Sequence, residues 1–484
     1  MERKTLLSSV LLAACSFGVL AATAQDQVIR MTTDKAVGEE LVIQVNRMTT
    51  AVTVDWGDGT AVEYTAGDGA LTTIQGKLKG SEVVLTGGSY LNTLVCEDAG
   101  LTSLVVTGAP KLQSLYCHGN KLTAINLNGL SVLRDLDLSG NQLTALSISE
   151  SAQPLLENIN VAFNDLQKIG SNSAFVFRSS NVQHINIAGN KFSRVYTTSN
   201  PNLDALICSG NALTSLDLSK NPQVSTVVCH DNQIARVSLP TSGGLPALQQ
   251  FICDNNEITS LDFSSSSLLT DLSCANNGLS DLSIPNRKLS SFNCGGNALT
   301  FRSLPSEANR PAEGFFSYLP QADLDVVNLL TPSAKYGGHY LPVCPDWASR
   351  TADEYVLDLS SHRFNGGNRA TVVFNCYAIE SGGVETPLVQ ATSKDREQDY
   401  ALTSGRFAFL KPFERVVIQL TEPSYPGLVI RTTPFVVGED NISGITSVGV
   451  SGEKAGAVYD MQGRRVAHPA NGIFIQNGKK VIIK

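Results

Sequence analysis

The sequence is poor in charge: Asp, Glu, Lys and Arg make up 17% of its 484 residues, and the net charge of −8 comes with no cluster of Lys or Arg. Phosphate binding relies on such cations releasing counterions, so nucleic acid is excluded as a partner. Past the N-terminus no apolar run is long enough to span a bilayer, and no transmembrane segment is expected. Catalytic signatures are missing too. His118, His184, His230, His339, His362 and His468 form no H-E-x-x-H spacing, and neither a G-x-S-x-G elbow nor a phosphate loop occurs. No enzyme activity, metal or cofactor is expected. Frequent Thr, Val and Ile with 40 Gly favour an all-β or solenoid chain, and the length calls for several domains or a repeat array.

Residues 1–24 have the layout of an export signal: Arg3 and Lys4, an apolar stretch from Leu6 to Ala22, then Ala22-Thr23-Ala24 before Gln25. Leu12-Ala13-Ala14-Cys15 also resembles a lipoprotein cleavage box in which Cys15 would carry lipid. Apolar sequence continuing past Cys15 favours plain secretion.

Self-similarity dominates 86–300, where L-x-x-L-x-C/L-x-x-N-x-L recurs. Asn120, Asn141, Asn164, Asn190, Asn211, Asn232, Asn256, Asn277 and Asn297 mark nine copies, and an earlier one has Ala99 at that place, making ten. The spacing is 21 residues with small insertions, room for a strand and a tight return only. In one copy Leu203, Leu206, Cys208 and Leu213 point inward while Ala205, Ile207 and Ser209 alternate outward. Stacked copies would bury the apolar face, and each Asn would use its amide on backbone groups left unpaired after the strand. Cys96, Cys117, Cys208, Cys229, Cys253, Cys274 and Cys294 share one inward slot that Leu138, Val161 and Ile187 fill elsewhere. Interchange with aliphatics reads as a reduced core ladder, against disulfides between neighbouring rungs. Cys344 and Cys376 lie outside the repeats and could pair. Over Leu91 to Leu299 the array resembles the internalin J-like class of bacterial leucine-rich-repeat proteins. That resemblance implies a mainly β, leucine-rich-repeat solenoid.

Residues 25–85 read as strands and turns that cap the first repeat. Within them Asp55-Trp56-Gly57-Asp58-Gly59 looks like the W-G-D-G segment of polycystic-kidney-disease-type β domains. Asp55 and Asp58 are too few carboxylates for calcium, so a turn is expected. Residues 301–345, broken by Pro and without the repeat, are expected to form the far cap and a linker. Over 346–438, short alternating strands separated by Gly, Pro and Ser turns fit an immunoglobulin-like sandwich. In 439–484, Tyr459, Asp460, Gly463, Arg464, Arg465, Gly472, Gly478, Lys479 and Lys480 look like the C-terminal sorting domain of type IX secretion cargo in the Bacteroidetes. This implies a secreted or cell-surface protein that engages the type IX machinery. The plainer alternative is one more small β module.

His118, His184 and His230 are expected to share an outward slot two residues before the ladder Asn, too many rungs apart to converge on a metal. The middle outward slot of the strands runs Val95, Tyr116, Asp137, Asn160, Asn186, Ile207, Val228, Ile252 and Ser273. Ile207, Val228 and Ile252 form one exposed apolar patch and Val95 with Tyr116 a second, around a polar middle, with Asp135, Asp137, Asp254 and Asp271 nearby. A concave face with these residues points to binding of a protein on another cell or host surface, as an adhesin does. The alternative is a carbohydrate or peptidoglycan receptor, for which more exposed aromatics than Tyr116 would be expected.

Overall fold

A computed structural model describes residues 27–46, 51–65, 71–87, 91–170, 174–240, 244–285, 287, 289–312, 314–326, 330–332, 355–365, 370–391, 398–410, 413–437, 458–459, 472–476 and 479–483. The export signal with Cys15, Cys344, His339 and His468 lie outside them. The chain folds as a mainly β leucine-rich-repeat solenoid and divides into two units, Met1–Leu213 with Asp217–Val224, and Thr214–Leu216 with Ser225–Lys484.

In the first unit, Thr93–Val95, Ser114–Tyr116, Asp135–Asp137, Asn158–Asn160, His184–Asn186 and Ala205–Ile207 pair in parallel, each shifted by one copy of the repeat. On this face each strand is three residues long, and a residue with positive φ follows three positions after it ends. The residue before the ladder Asn has positive φ in this unit, as in Gly119, Gly140, Gly189 and Gly210. The middle residue of each strand is buried and its two neighbours lie on the outer face. The inward set of Leu203, Leu206, Cys208 and Leu213 is buried as expected, but Ser209 is only 8% exposed. It follows the strand, where the alternation of a β-strand no longer holds.

The N-terminal end of the array is closed by strand pairing. Glu40–Asn46 pairs antiparallel with Thr93–Val95 and with Thr72–Lys77, so the parallel sheet starts on a hairpin. A second antiparallel sheet, ordered Ala61–Tyr64, Val52–Asp55, Glu82–Gly87, Val28–Thr33 and Leu101–Gly108, takes in the return segment of the first repeat. Ile29, Met31, Leu41, Ile43, Val45, Val54, Val83 and Leu85 are buried in this region. Trp56 lies over Gly76, where an added Cβ would meet the indole at 2.2 Å. The expected turn is present: Asp55 Oδ1 accepts from the backbone N–H of Gly57, Asp58 and Gly59, and Asp58 pairs with Lys79 at 2.7 Å.

In the second unit, Thr226–Val228, Gln250–Ile252, Asp271–Ser273 and Ser291–Asn293 continue the same parallel pattern. Against the expectation that 301–345 carries no repeat, Phe316–Ser317 adds another parallel strand. Gln321 takes the ladder place, its Oε1 accepting from Leu299 N at 2.8 Å and its Nε2 donating to the carbonyls of Cys294 and Tyr318. The rung was invisible to the pattern because Tyr318 and Gln321 stand where the other copies have Cys or an aliphatic and, in all but the first, Asn. This last rung is not a free linker. Tyr425 packs on Phe301, Phe316 and Tyr318, Arg310 lies 3.8 Å above the Tyr425 ring, and Tyr318 donates to Pro426 O at 2.9 Å.

Beyond it stand a four-stranded antiparallel sheet, Leu330–Pro332, Tyr355–Asp358, Arg406–Phe409 and Tyr400–Thr403, and a five-stranded one built on Val373–Ile379 and Phe413–Thr421. The first begins at Leu330, before the expected boundary at 346. Phe374 meets Phe407 edge-on at 5.6 Å between the sheets. Val458–Tyr459, Gly472–Gln476 and Lys479–Ile483 form a last antiparallel sheet. It holds Tyr459, Gly472, Lys479 and Lys480, while Asp460, Gly463, Arg464, Arg465 and Gly478 lie outside the described residues.

Candidate functional site

The ladders are structural, and they leave the outer face free to vary. Eight of the ladder amides are seen to bridge two copies. Asn190 Oδ1 accepts from Leu166 N at 3.0 Å, and its Nδ2 donates to the carbonyls of Val161, Ile187 and Ala188. Asn120, Asn141, Asn164, Asn211, Asn256, Asn277 and Asn297 repeat that arrangement, and Asn232 donates to Cys229 O and His230 O. The seven ladder cysteines are buried thiols. Burial pushes Cys208 up to about 12 and raises Cys253 and Cys274 above their ordinary values, as the apolar interior disfavours a thiolate. Cys376 is a buried thiol as well.

On the outer face of the first unit lies an open groove of about 380 Å³, walled by Tyr116, Asp135, Asp137, Asn158, Asn160, His184, Asn186, Ala205 and Ile207. Two rows supply it. Tyr116, Asp137, Asn160, Asn186 and Ile207 are in register at the third strand position, and Ser114, Asp135, Asn158, His184 and Ala205 at the first. Side chains of adjacent strands are about 5 Å apart, so they bond along the rows. Asp135 accepts from Ser114 Oγ at 2.8 Å and Asn158 Nδ2 at 2.6 Å. Asp137 accepts from Asn160 Nδ2 at 2.9 Å and from the Ser139 hydroxyl at 2.6 Å. Burial, then the carboxylate of Asp135, raises the Tyr116 phenol above its usual range.

Of the residues singled out in the sequence, Tyr116, Asp137 and Ile207 come together in this groove, and Val95 neighbours Tyr116 in the sheet. Val228 and Ile252 are paired with each other in the second unit. The apolar members of the row are half-buried and not the exposed patches expected, because each is flanked by side chains of the strands on either side. Asp254 is spent on the next turn, accepting from Ser273 Oγ and Ala275 N. The expected shared slot of three histidines fails. His118 and His230 do follow their strands, but His184 heads its strand, in register with Asn158. Each has its own acid, Glu97 at 3.3 Å, Asp204 at 3.5 Å and Asp231 at 2.7 Å respectively for His118, His184 and His230. Among the described residues no group of three or more His, Cys, Asp or Glu could hold a metal ion, and no helix is long and apolar enough to cross a membrane.

The sequence reading took Asp135, His184 and Ala205 singly and missed that they align with Ser114 and Asn158 in one first-position row, whose period of 21 to 26 residues could have revealed it. It also missed Phe163. This residue occupies the left-handed position before Asn164, with φ +54°, and is 66% exposed.

The fold and groove define a leucine-rich-repeat solenoid with a polar outer face. No family model matches the chain, nor does any curated protein. Among solved structures it is similar to the functional domain of InlJ from Listeria monocytogenes, described as including a cysteine ladder, at 15% identity over 72% of this chain and 91% of that one, with a TM-score of 0.30. It is similar to YopM from Yersinia enterocolitica at 20% identity over 40% of this chain, with a TM-score of 0.33, and spans 44% of that chain's length. A leucine-rich-repeat protein from Bacteroides eggerthii matches at 20% identity over 42% of this chain and 39% of that one, with a TM-score of 0.30. The fold itself rests on the strands, rungs and buried residues described above.

Proposed function

We propose that the protein is an adhesin, secreted or held at the cell surface, that makes protein–protein contacts in cell-cell, biofilm or host attachment through the outer face of its solenoid. The observation that carries this reading is the groove between Tyr116 and Ile207. Its wall side chains are dispensable for the core, since the buried middle residues and the Asn rungs hold the stack, and an open sheet face of this kind is where repeat proteins vary their chemistry. Asp135 and Asp137 are tied down by neighbouring hydroxyls and amides, which suits recognition and not proton transfer. The sequence features at the two ends support export followed by type IX sorting, with the paired sheets of the 346–438 region as an immunoglobulin-like spacer.

The test is attachment of beads coated with the mature protein to biofilm, bacterial cells and epithelial cells. Asn160→Arg with Asn186→Arg fills the groove with long charged side chains and is expected to abolish attachment while circular dichroism and melting stay native. Undiminished attachment would overturn the assignment. A carbohydrate receptor, the second reading, is favoured by the Asp and Asn amide-rich lining and predicts that free oligosaccharide blocks the beads.

A further inference from the structure

Asn is among the thermolabile residues, and most so before Gly, which has no side chain to keep its backbone nitrogen away from the neighbouring amide. Such pairs occur at Asn128, Asn277, Asn365, Asn471 and Asn477, and both members of the first two are described. Those two share a chemistry and differ in their surroundings. Asn277 is a rung of the amide ladder. Its Oδ1 accepts from Ile258 N at 3.0 Å, its Nδ2 donates to the carbonyls of Cys253, Cys274 and Ala275, and Gly278 N–H donates to Ile258 O at 3.0 Å. Both reacting groups are occupied, so neither can turn toward the other.

Asn128 and Gly129 are the exposed tip of the turn 127–130, in the return segment whose Asn126 bridges to Val105 of the preceding copy. Leu127 and Leu130 are buried. Leu127 O accepts from Leu130 N at 3.3 Å and from Gln153 Nε2 of the next copy at 3.0 Å, so the base of the turn is fixed. At the tip, the Asn128 side chain and the Gly129 N–H have no hydrogen-bond partner among the described residues. Gly129 has φ +86°, and an added Cβ would meet nothing nearer than Thr107 O at 3.8 Å, so the approach to its nitrogen is open.

We propose that Asn128 is a site of spontaneous covalent modification that turns it into aspartate and isoaspartate. The Gly129 nitrogen attacks Cγ of Asn128, a C–N bond forms as the Cγ–Nδ2 bond breaks, and Nδ2 leaves as ammonia with the proton that the Gly129 nitrogen gave up. Water then opens the five-membered succinimide. Cleavage at Cγ leaves aspartate, cleavage at the main-chain carbonyl leaves isoaspartate, and one water is consumed for each ammonia released. Either product adds a negative charge to a chain of net charge −8. Isoaspartate also adds a methylene to the main chain of a turn whose two leucines are held in the core, and offers a carboxylate to isoaspartyl methyl transfer. The turn lies outside the groove lining, so this chemistry is independent of the adhesin reading. The test is mass-spectrometric peptide mapping of the full-length protein held at pH 8 and 37 °C, folded and in guanidinium chloride, with methylation by isoaspartyl methyltransferase as a second readout. In the folded protein the tryptic peptide 122–134 is expected to convert at least tenfold faster than the peptide holding Asn277, and in denaturant the two should convert within threefold of each other. The rate at Asn128 should rise with pH, since attack needs the amide nitrogen without its proton. Asn128→Gln, at an exposed position, should stop conversion and methylation of that peptide. A folded-state rate at Asn128 no greater than at Asn277, a slowing of more than tenfold at Asn128 on folding, or methylation of the same peptide in Asn128→Gln would each overturn the proposal.

Discussion

Replacing Asn120 measures how much the amide ladder contributes to the stack. Its side chain is 5% exposed and makes five hydrogen bonds. Oδ1 accepts from Ala99 N at 3.1 Å and Leu101 N at 2.9 Å, and Nδ2 donates to the carbonyls of Cys96, Cys117 and His118. Asn120→Ala strands two backbone N–H groups in the interior, each costing about 1–3 kcal/mol when unpaired. The carbonyls lose a share of their bonding and the small cavity adds to the cost, so a total of about 4 kcal/mol is expected. Asn120→Asp is the sharper probe, being isosteric. It keeps both acceptor bonds but turns a second oxygen toward three carbonyl oxygens, so it should destabilise about as much near neutral pH. Protonation would restore a donor, and the gap to the parent should therefore narrow as pH falls. Urea unfolding followed by the fluorescence of Trp56, buried in the adjoining cap, reads both variants. Losses below about 1 kcal/mol in both, against the 1–3 kcal/mol of a single unpaired N–H, would refute the view that the rungs hold the copies together.

The Cys slot should accept Cys253→Val at a cost below about 1.5 kcal/mol, since Val161 already fills it, while Cys253→Ser buries a hydroxyl and should cost more, ~1–3 kcal/mol. The reverse order in denaturant titrations would contradict the packing role. Alkali should destabilise the array. The folded thiols titrate above the unfolded value of 9.0, Cys208 at about 12, so their contribution is fully present below pH 9 and is lost as pH rises towards 12. The expected slope approaches ~1.4 kcal/mol per pH unit for each such thiol. Melting curves at pH 7, 9 and 10 should show a shallower fall for the Cys208→Val, Cys253→Val double variant, and an unchanged slope would sink the explanation.

The sequence by itself determined the solenoid. A period of 21 residues leaves no room for a helix, Leu at fixed intervals must be buried by stacking, and a polar Asn amid that pattern has to find backbone partners. The exchange of Cys with Leu, Val and Ile likewise identified a core slot. What it could not show depends on neighbours that are distant in sequence. Gln321 is recognisable as a rung only from its bonds to Leu299 and Cys294. The rows of the groove appear only once parallel register sets Asp135 beside Asn158 and Asp137 beside Asn160, which converts a polar middle into hydrogen-bonded walls. Ile207 looked exposed along its own strand, yet the adjoining strand half-buries it and makes it one wall of that groove. Side-chain direction follows from the alternation within one copy, but what each outward side chain touches is decided by the copy stacked beside it.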